Sequence, residues 1–228
     1  MPNPGFHRLQ SPCDFYFVRH GQSHSNSEQR IQGHTESPLS PRGVQQAAAA
    51  AEWFRPIGAD RVFSSPLQRA RDTAEPILLA SGADTLEILP DLIELDTGIY
   101  TGKVFSDLPG IDDDLFRAFR VRSWEVVPGA ERIESLLRRA HAVWDVLLAH
   151  ATAGRSRLVC VTHGGFIQWI VKATMGDRDP KWMPLVRTSN CGIFHFRAES
   201  TLRDPDSDPP TPNTGYYGQW MLIDHVPY

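Results

Sequence analysis

The sequence predicts an α/β fold with a largely parallel sheet, because short apolar strand candidates alternate with helix candidates along the chain. Groups of polar residues lie where two of these strands end, and open α/β sheets bind ligands at that edge. The composition agrees, since 41% of the 228 residues are hydrophobic and 22% are charged, as in ordinary folded proteins. A chain of this length can bury a large core without disulfide bonds.

The first half of the chain contains three strand candidates and two helix candidates. Residues 14–18 are aromatic and β-branched, which predicts a buried strand. Ser40-Pro41 predicts a helix start, with serine as N-cap and proline in the first turn, and this helix continues to about Pro56. The other candidates are a strand at 61–63, a helix from Ser65-Pro66 to near Gly82 with Pro76 as a kink site, and a strand at 86–89.

The second half returns to the same alternation after an irregular segment. Residues 131–150 carry apolar side chains at helical spacing, which predicts an amphipathic helix. Residues 158–162 predict a buried strand, and Gly164-Gly165 opens a helix toward Met175. Late strands are predicted at 193–196 and 220–223, and the segment 204–214, rich in proline and aspartate, is predicted to be a loop.

The segment of about residues 103–128 is the least regular part of the chain. We interpret it as an insertion that covers a site, and a surface helix with solvated arginines is the alternative. Its aromatic residues would offer an apolar wall and its arginines a second anion contact, although the pattern does not decide which of them face a ligand. The residues concerned are Phe116, Arg117, Phe119, Arg120, Arg122 and Trp124.

Charge and cysteine content limit the classes of partner and compartment. The chain has 23 Lys+Arg and 27 Asp+Glu, a formal net charge of -4, so neither nucleic acid nor a membrane surface is an expected partner. Cys13, Cys160 and Cys191 are an odd number, which disfavours a disulfide framework and favours a reducing cytoplasm. Residues 1–12 lack the apolar core of a signal peptide, and no run of 18 apolar residues occurs. Nothing predicts the oligomeric state.

Polar residues at the ends of the predicted strands are expected to meet at one edge of the sheet. Arg19 and His20 end the first strand, His163 ends a later one, and Arg69 follows a third. Two histidines and two arginines would form a compact pocket that suits a phosphate monoester, which carries about -1.5 to -2 charges at neutral pH. Histidine can form a covalent intermediate, and Glu94 is the candidate acid and base.

Each of these residues is weak evidence when it is taken alone. A histidine at a strand end is more often structural, and Arg69 and Glu94 could be surface charges. A metal site is disfavoured because no C-x-x-C pair occurs and arginines beside the histidines would repel a cation, so we expect no metal and no other cofactor. Glycine-rich nucleotide-binding motifs are absent from the sequence.

Taken together, the motifs resemble the histidine phosphatase superfamily, also called the phosphoglycerate mutase-like family. They follow the family's order over about residues 15–196: Val18-Arg19-His20-Gly21-Gln22-Ser23 with Asn26, 30–34, 38–43, 64–70, Glu94 with Gly98 and Gly102, 128–131, and Thr162-His163-Gly164-Gly165. The resemblance implies a three-layer α/β/α sandwich with helices on both faces of a mostly parallel sheet. Because the pieces from Arg19 to His163 must meet in one site, we predict a single domain, residues 1–228, with the insertion at about 103–128.

The resemblance also implies a role for each site residue. His20 would become a phosphohistidine, and Glu94 would be first the proton donor and then the base. The phosphoryl oxygens would be bound by Arg19, Arg69 and His163, while Asn26, Gln32 and Gly33 would line the phosphate pocket. The helix start at Gly164-Gly165 would add backbone N–H groups to this anion site.

Three departures distinguish this chain from the family's mutases. The mutases typically have asparagine where this chain has Gly165, tyrosine where it has Thr97, and a longer basic insertion. These departures favour a metal-independent phosphomonoesterase acting on a small-molecule phosphate ester. A cofactor-dependent phosphoglycerate mutase is one alternative, and a non-catalytic phospho-ligand-binding protein is another, although no core residue is missing. Ala130 and Arg132 also depart from the usual motif, and the physiological substrate is not predicted.

Overall fold

One six-stranded sheet forms the centre of the molecule in the computed structural model, which describes residues 4–175, 186–200 and 216–227. The strands are β1 (Cys13–Arg19), β2 (Arg61–Ser64), β3 (Leu86–Ile88), β4 (Arg157–Thr162), β5 (Ile193–Ser200) and β6 (Tyr216–His225). Their order is β3-β2-β4-β1-β5-β6, with the first four parallel and the last two antiparallel to their neighbours. The predicted α/β fold with a mostly parallel sheet is confirmed.

Seven α-helices connect or follow the strands within the described ranges. They are α1 (His24–Ser27), α2 (Pro41–Phe54), α3 (Gln68–Ser81), α4 (Leu108–Ile111), α5 (Asp113–Arg122), α6 (Ile133–Thr152) and α7 (Gly164–Met175). The described 3-10 turns are Phe6–Arg8, Pro90–Leu92, Gly98–Tyr100, Phe105–Asp107 and Ser123–Val126. Ser40 caps α2 as predicted, because its hydroxyl accepts the N–H of Gly43. Helix α3 begins at Gln68, later than predicted, because Leu67 keeps an extended backbone.

Helices cover both faces of the sheet, which confirms the three-layer arrangement. Along β1, Phe15 and Phe17 belong to the core cluster that includes Trp144 of α6. The alternate residues Tyr16 and Val18 belong to the cluster on the other face, together with residues of α2 and α3. Burial on both faces explains why β1 is a nearly continuous apolar run rather than an alternating one.

Residues 103–128 contain α4, α5 and the turn at Ser123–Val126. Their buried residues Leu108, Phe119 and Val127 pack with Tyr100 in a small cluster apart from the two clusters on the sheet. The segment is therefore helical, with an apolar core of its own. The division of the chain into one domain with an insertion remains a prediction.

The remaining sequence predictions have different outcomes. The three cysteines are buried and free. Burial is the largest of the effects that raise the pKa of Cys13 and of Cys191 to about 12, so these thiols stay protonated and inert. None of the helices in the described ranges has the length and apolar character needed to cross a bilayer. The predicted loop at 204–214 lies outside the described residues.

Candidate active site

The carboxyl ends of the parallel strands bring the predicted residues together. Strands β1 and β4 pair in register up to their last residues, so the residues that follow them, His20 and His163, lie side by side. The centroids of the two imidazole rings are 5.1 Å apart. Strand β2 pairs with β4 on its other side, which places Arg69 of α3 at the same edge. Three segments distant in sequence therefore converge as predicted.

The His20 ring has a defined proton position. Its Nδ1 lies 2.7 Å from the carbonyl oxygen of Gly21. Because a carbonyl only accepts, Nδ1 carries the proton and Nε2 carries the lone pair. Burial, and then the charges of Arg19 and Arg69, lower the pKa of His20 well below its usual 6.5. The ring is therefore neutral at physiological pH, with an unprotonated nitrogen that can act as a nucleophile.

Helix α2 fastens the turn after His20 through direct backbone contact. A Cβ added to Gly21 would lie 2.6 Å from the carbonyl oxygen of Gly43, and a Cβ added to Gly43 would overlap the Gln22 backbone. Two further bonds hold the turn: Gly21 N–H donates to Thr73 Oγ1 (3.0 Å), and Gln22 N–H donates to Gln46 Oε1 (2.9 Å). Glycine at both positions permits an approach that any side chain would prevent.

Arg19 and Arg69 each use part of the guanidinium group in hydrogen bonds to backbone carbonyls and leave another N–H donor unused by the described residues. Arg69 donates from Nη1 to the Thr35 carbonyl (2.7 Å) and from Nη2 to the Gly33 carbonyl (2.9 Å), and Arg19 donates from Nη1 to the Thr188 carbonyl (2.6 Å). In both side chains Nε is buried and has no partner among the residues that the structure describes. A buried donor without an acceptor costs about 1–3 kcal/mol. An anion that accepts from these groups would recover that free energy, so the site is prepared for one.

His163 lies behind His20 and is fully buried. Its Nε2 is 2.7 Å from the hydroxyl oxygen of Ser65, and within the described ranges its Nδ1 has no hydrogen-bond partner. Burial lowers the pKa of His163 well below 6.5, and His20 and the two arginines lower it further. A second neutral imidazole with one free ring nitrogen therefore adjoins the first.

The carboxylate of Glu94 occupies the N-terminus of α7. It accepts the backbone N–H groups of Leu95 (2.9 Å), Gly165 (3.1 Å) and Phe166 (2.9 Å). This differs from the expectation that the start of α7 would bind the substrate anion, because Glu94 already uses two of these donors. A Cβ on Gly165 would lie 2.7 Å from Glu94 Oε1, so the glycine permits the carboxylate to dock.

A cavity of about 200 Å³ opens beside His20. Its described lining residues are Arg19, His20, Asn26, Arg30, Ile31, Gln32, Gly33, Arg69, Glu94, Leu95, Thr97, Trp124 and Gly165. The predicted pocket residues Asn26, Gln32 and Gly33 are therefore at the cavity. The lining does not include His163 or Gly164. Gly164 was predicted to lie in the phosphate pocket, whereas it is the neighbouring Gly165 that lines the cavity.

The six candidates in the insertion divide clearly. Trp124 lines the cavity, and the other five do not. Arg117 and Arg122 are exposed and form ion pairs with carboxylates of the insertion itself, on Asp113 and Glu125. Phe119 and Phe116 pack in the insertion's apolar cluster, and Arg120 is exposed. The insertion contributes one aromatic wall and no cation to the cavity.

Sequence reasoning missed three polar residues at or beside the site. Asn190 donates from Nδ2 to the carbonyl of His20 and to Oδ1 of Asn26, both at 3.2 Å. Ser65, which lies in the family motif at 64–70, is the hydrogen-bond partner of His163. Arg30 lies in the family motif at 30–34, two residues before Gln32, and this proximity is a signal that could have found it in the cavity wall. Asn190 had no comparable signal, since it precedes an antiparallel strand.

A larger, open cavity of about 750 Å³ also includes Arg19. Its described lining contains Arg42, Arg187 and Asp224, but neither His20 nor Glu94. Because only the smaller cavity contains a candidate nucleophile and a candidate acid, size does not identify the reactive site here. No group of three or more His, Cys, Asp or Glu in the described ranges is arranged to hold a metal ion.

Comparison with known proteins gives the chain a family. The sequence profile of the histidine phosphatase superfamily (branch 1) matches residues 15–203. A relative from Salmonella paratyphi C (strain RKS4594), named "Probable phosphoglycerate mutase GpmB", is 34% identical over 181 residues. The match covers 78% of this chain and 81% of the relative.

Solved structures share the fold over nearly the whole chain. A mycobacterial glucosyl-3-phosphoglycerate phosphatase in complex with VO3 superposes with a TM-score of 0.75 at 23% identity, covering 92% of this chain and 98% of that one. The alpha-ribazole phosphatase from Shigella flexneri gives a TM-score of 0.72 at 19% identity, covering 94% and 97%. At these identities the likeness concerns the fold alone.

Proposed function

Because the chain belongs to the histidine phosphatase superfamily, we propose that it is a metal-independent phosphomonoesterase that acts through a phosphohistidine on His20. The observation that carries this proposal is the state of His20: it is buried, its ring is neutral with Nδ1 protonated, and the charges of Arg19 and Arg69 act on the ring. A neutral nitrogen nucleophile next to fixed positive charge is what attack on a phosphate dianion requires.

The first step transfers the phosphoryl group to the enzyme. His20 Nε2 attacks the phosphorus, the ester P–O bond breaks, and the leaving oxygen takes a proton from the carboxyl group of Glu94. The unpaired Nε–H groups of Arg19 and Arg69 bind the phosphoryl oxygens as charge shifts in the transition state. Positioned charge does the work here, since phosphoryl transfer requires little else from the protein.

The second step returns the enzyme to its starting state. Glu94, now a carboxylate, takes a proton from water, and the water oxygen attacks the phosphorus. The bond from phosphorus to Nε2 breaks, and inorganic phosphate leaves a neutral His20. Glu94 lines the cavity with His20, which supports one carboxylate serving as the acid and then as the base.

The cavity supports a small-molecule substrate and hydrolysis rather than phosphoryl transfer to a second sugar acid. Its volume of about 200 Å³ admits a phosphoryl group and a small leaving group. A mutase must also hold a carboxylate, yet Arg117 and Arg122 of the insertion pair with acidic neighbours instead of lining the cavity. The unpaired buried cysteines fit the reducing cytoplasm that we propose as its compartment.

Hydrolysis of an aryl phosphate in the presence of a chelator tests the proposal. We expect full activity with the chelator, and a fall of more than about 10³-fold in His20→Ala. Phosphate release that stops with the chelator, or that continues at the normal rate in His20→Ala, would refute the proposed mechanism. Melting curves of both proteins control for folding.

A phosphoglycerate mutase is the second candidate function, favoured by the name of the 34%-identical relative and by Arg30 in the cavity wall. The test supplies 3-phosphoglycerate with and without a bisphosphoglycerate primer. We expect phosphate release to exceed formation of the 2-isomer under both conditions. Primer-dependent isomerisation that is faster than release would establish the mutase instead.

A further inference from the structure

His163 has one described hydrogen-bond partner for its ring, the hydroxyl of Ser65. The Nε2 to Oγ distance is 2.7 Å, and both residues are fully buried. The other ring nitrogen, Nδ1, is buried and unpaired. The direction of the bond to Ser65 therefore decides which nitrogen carries the single proton of the neutral ring.

The surroundings of Ser65 set that direction. A serine oxygen can accept two hydrogen bonds and donate one. The backbone N–H of Leu67 already donates to Ser65 Oγ (3.3 Å), and the described residues offer this hydroxyl no acceptor other than His163. If Nε2–H donated to Oγ, the buried serine proton would stay unpaired. If Ser65 donates to Nε2, every polar atom of the hydroxyl is used, so this arrangement is favoured.

We propose that Ser65 is a positioning residue that holds His163 in the neutral form with its proton on Nδ1. The Gly21 carbonyl fixes His20 in the same form by accepting from Nδ1. In both rings a neighbouring group outside the cavity lining thus determines where the proton lies.

The consequence for catalysis rests on the proposed function. We infer that this Nδ1–H of His163, which has no partner among the described residues, donates to a phosphoryl oxygen bound at His20, since the centroids of the two rings are 5.1 Å apart. With the proton on Nε2 instead, Nδ1 would carry a lone pair, could not donate to that anion, and would repel an anion bound next to it. Ser65 therefore converts His163 from a repulsive neighbour into a donor.

Nitrogen NMR of the full-length protein tests the proton position without any assay of activity. In protein labelled with ¹⁵N in its histidine rings, long-range ¹H–¹⁵N spectra distinguish a protonated ring nitrogen from an unprotonated one, and His163→Gln identifies the signals. We expect protonated Nδ1 and unprotonated Nε2. A wild-type spectrum with the proton on Nε2 overturns the proposal, whether or not the protein is a phosphatase.

Two variants measure the role of the hydroxyl. Ser65→Ala is expected to shift or average the His163 signals and to lower kcat about 10- to 100-fold, as when a partner that orients a histidine is removed, with KM nearly unchanged. Ser64→Ala is the matched control, because it removes the adjacent buried hydroxyl, which donates to the Ser65 carbonyl (2.9 Å). Equal loss in both variants, or unchanged His163 signals in Ser65→Ala, overturns the proposal. If Ser65→Ala does not fold, the wild-type spectrum alone decides.

Discussion

The polar side chains of His20 and Arg69, which form the floor of the cavity, are buried and hydrogen-bonded to backbone carbonyls. The charged side chains of the insertion are exposed and form ion pairs with one another. Arg69 binds two carbonyls from a distant loop, and His20 binds the carbonyl next to it. Arg117 and Arg122 pair instead with carboxylates within their own segment. The backbone around the sheet edge thus holds the candidate catalytic side chains, while the charged side chains of the insertion make no contact with them. Under the proposed function, reaction type and substrate choice would therefore depend on different parts of the molecule.

The largest expected effect breaks the floor at Arg69. Replacement by lysine keeps the charge but loses the planar fork that reaches the carbonyls of Thr35 and Gly33, so kcat/KM should fall about 10²–10³-fold. Arg71→Lys, on the exposed face of the same helix, is the control and should match wild type. Steady-state hydrolysis of an aryl phosphate measures both. A fully active Arg69→Lys would mean that charge alone suffices on the floor.

The next effect concerns the seat of Glu94. In Gly165→Ala the new Cβ would lie 2.7 Å from Oε1 and displace the carboxylate, and a misplacement of about 1 Å can cost about 10²-fold in kcat. Gly110→Ala, in the insertion, meets no atom within 4 Å and should keep the wild-type kcat. Equal kcat values for these two variants would show that Glu94 does not need this docking.

The pH dependence of the free energy of unfolding tests whether the buried histidines are neutral in the folded protein. Burial holds the pKa values of His20 and His163 below 6.5, so below that pH the unfolded chain takes up protons that the folded chain does not. The free energy of unfolding should therefore rise with pH up to about 6.5 and decline as the pH falls below it. Urea denaturation between about pH 5 and pH 7.5 measures the slope, and each such histidine contributes about 1.4 kcal/mol per pH unit.

Two substitutions isolate the histidine contribution. His163→Gln should lower the slope below pH 6.5 by one histidine's share, whereas the exposed His24→Gln provides the reference for a surface ring. Parallel curves for wild type and His163→Gln would contradict a neutral buried ring. The comparison does not depend on activity.

The smallest effects are expected in the insertion. Trp124→Ala removes the one aromatic wall that the insertion gives the cavity, and should raise KM about 3- to 10-fold with little change in kcat. Arg117→Ala should leave both constants within about 2-fold, because an exposed ion pair contributes little. A panel of phosphate esters ranked by kcat/KM measures the change. A reordered panel for Arg117→Ala would show that exposed insertion charges select substrates.

The meeting of the two histidines was predictable because each of them directly follows an apolar strand. His20 and His163 end two parallel strands, and parallel strands present their carboxyl ends at one edge. The contact between Asn190 and the His20 carbonyl was not predictable, since it depends on an antiparallel strand lying beside β1. Pairing of distant segments supplies this contact, and no local pattern encodes it.

The sequence also could not predict which side chains of the insertion face the cavity. Helix α5 and the turn after it place an aromatic or a basic residue on nearly every side, so spacing does not single out Trp124. Ser65-Pro66 was a good helix-start signal that the structure does not use. The helix begins later, and Ser65 is the partner of His163. A serine before proline is compatible with a helix N-cap and equally with a side chain that binds a distant histidine. Only the tertiary structure distinguishes these two roles.

The backbone contact between α2 and the turn after His20 has a consequence for how this protein can vary. Gly43 has no side chain and lies outside the cavity lining, yet almost any substitution there would push on the backbone of Gln22, two residues after the candidate nucleophile His20. A random library selected for activity should therefore show Gly43 as invariant as the charged residues. The neighbouring Arg42, exposed on the same helix turn, should tolerate most replacements. The positions that do not tolerate mutation would then include this backbone contact as well as the candidate catalytic residues.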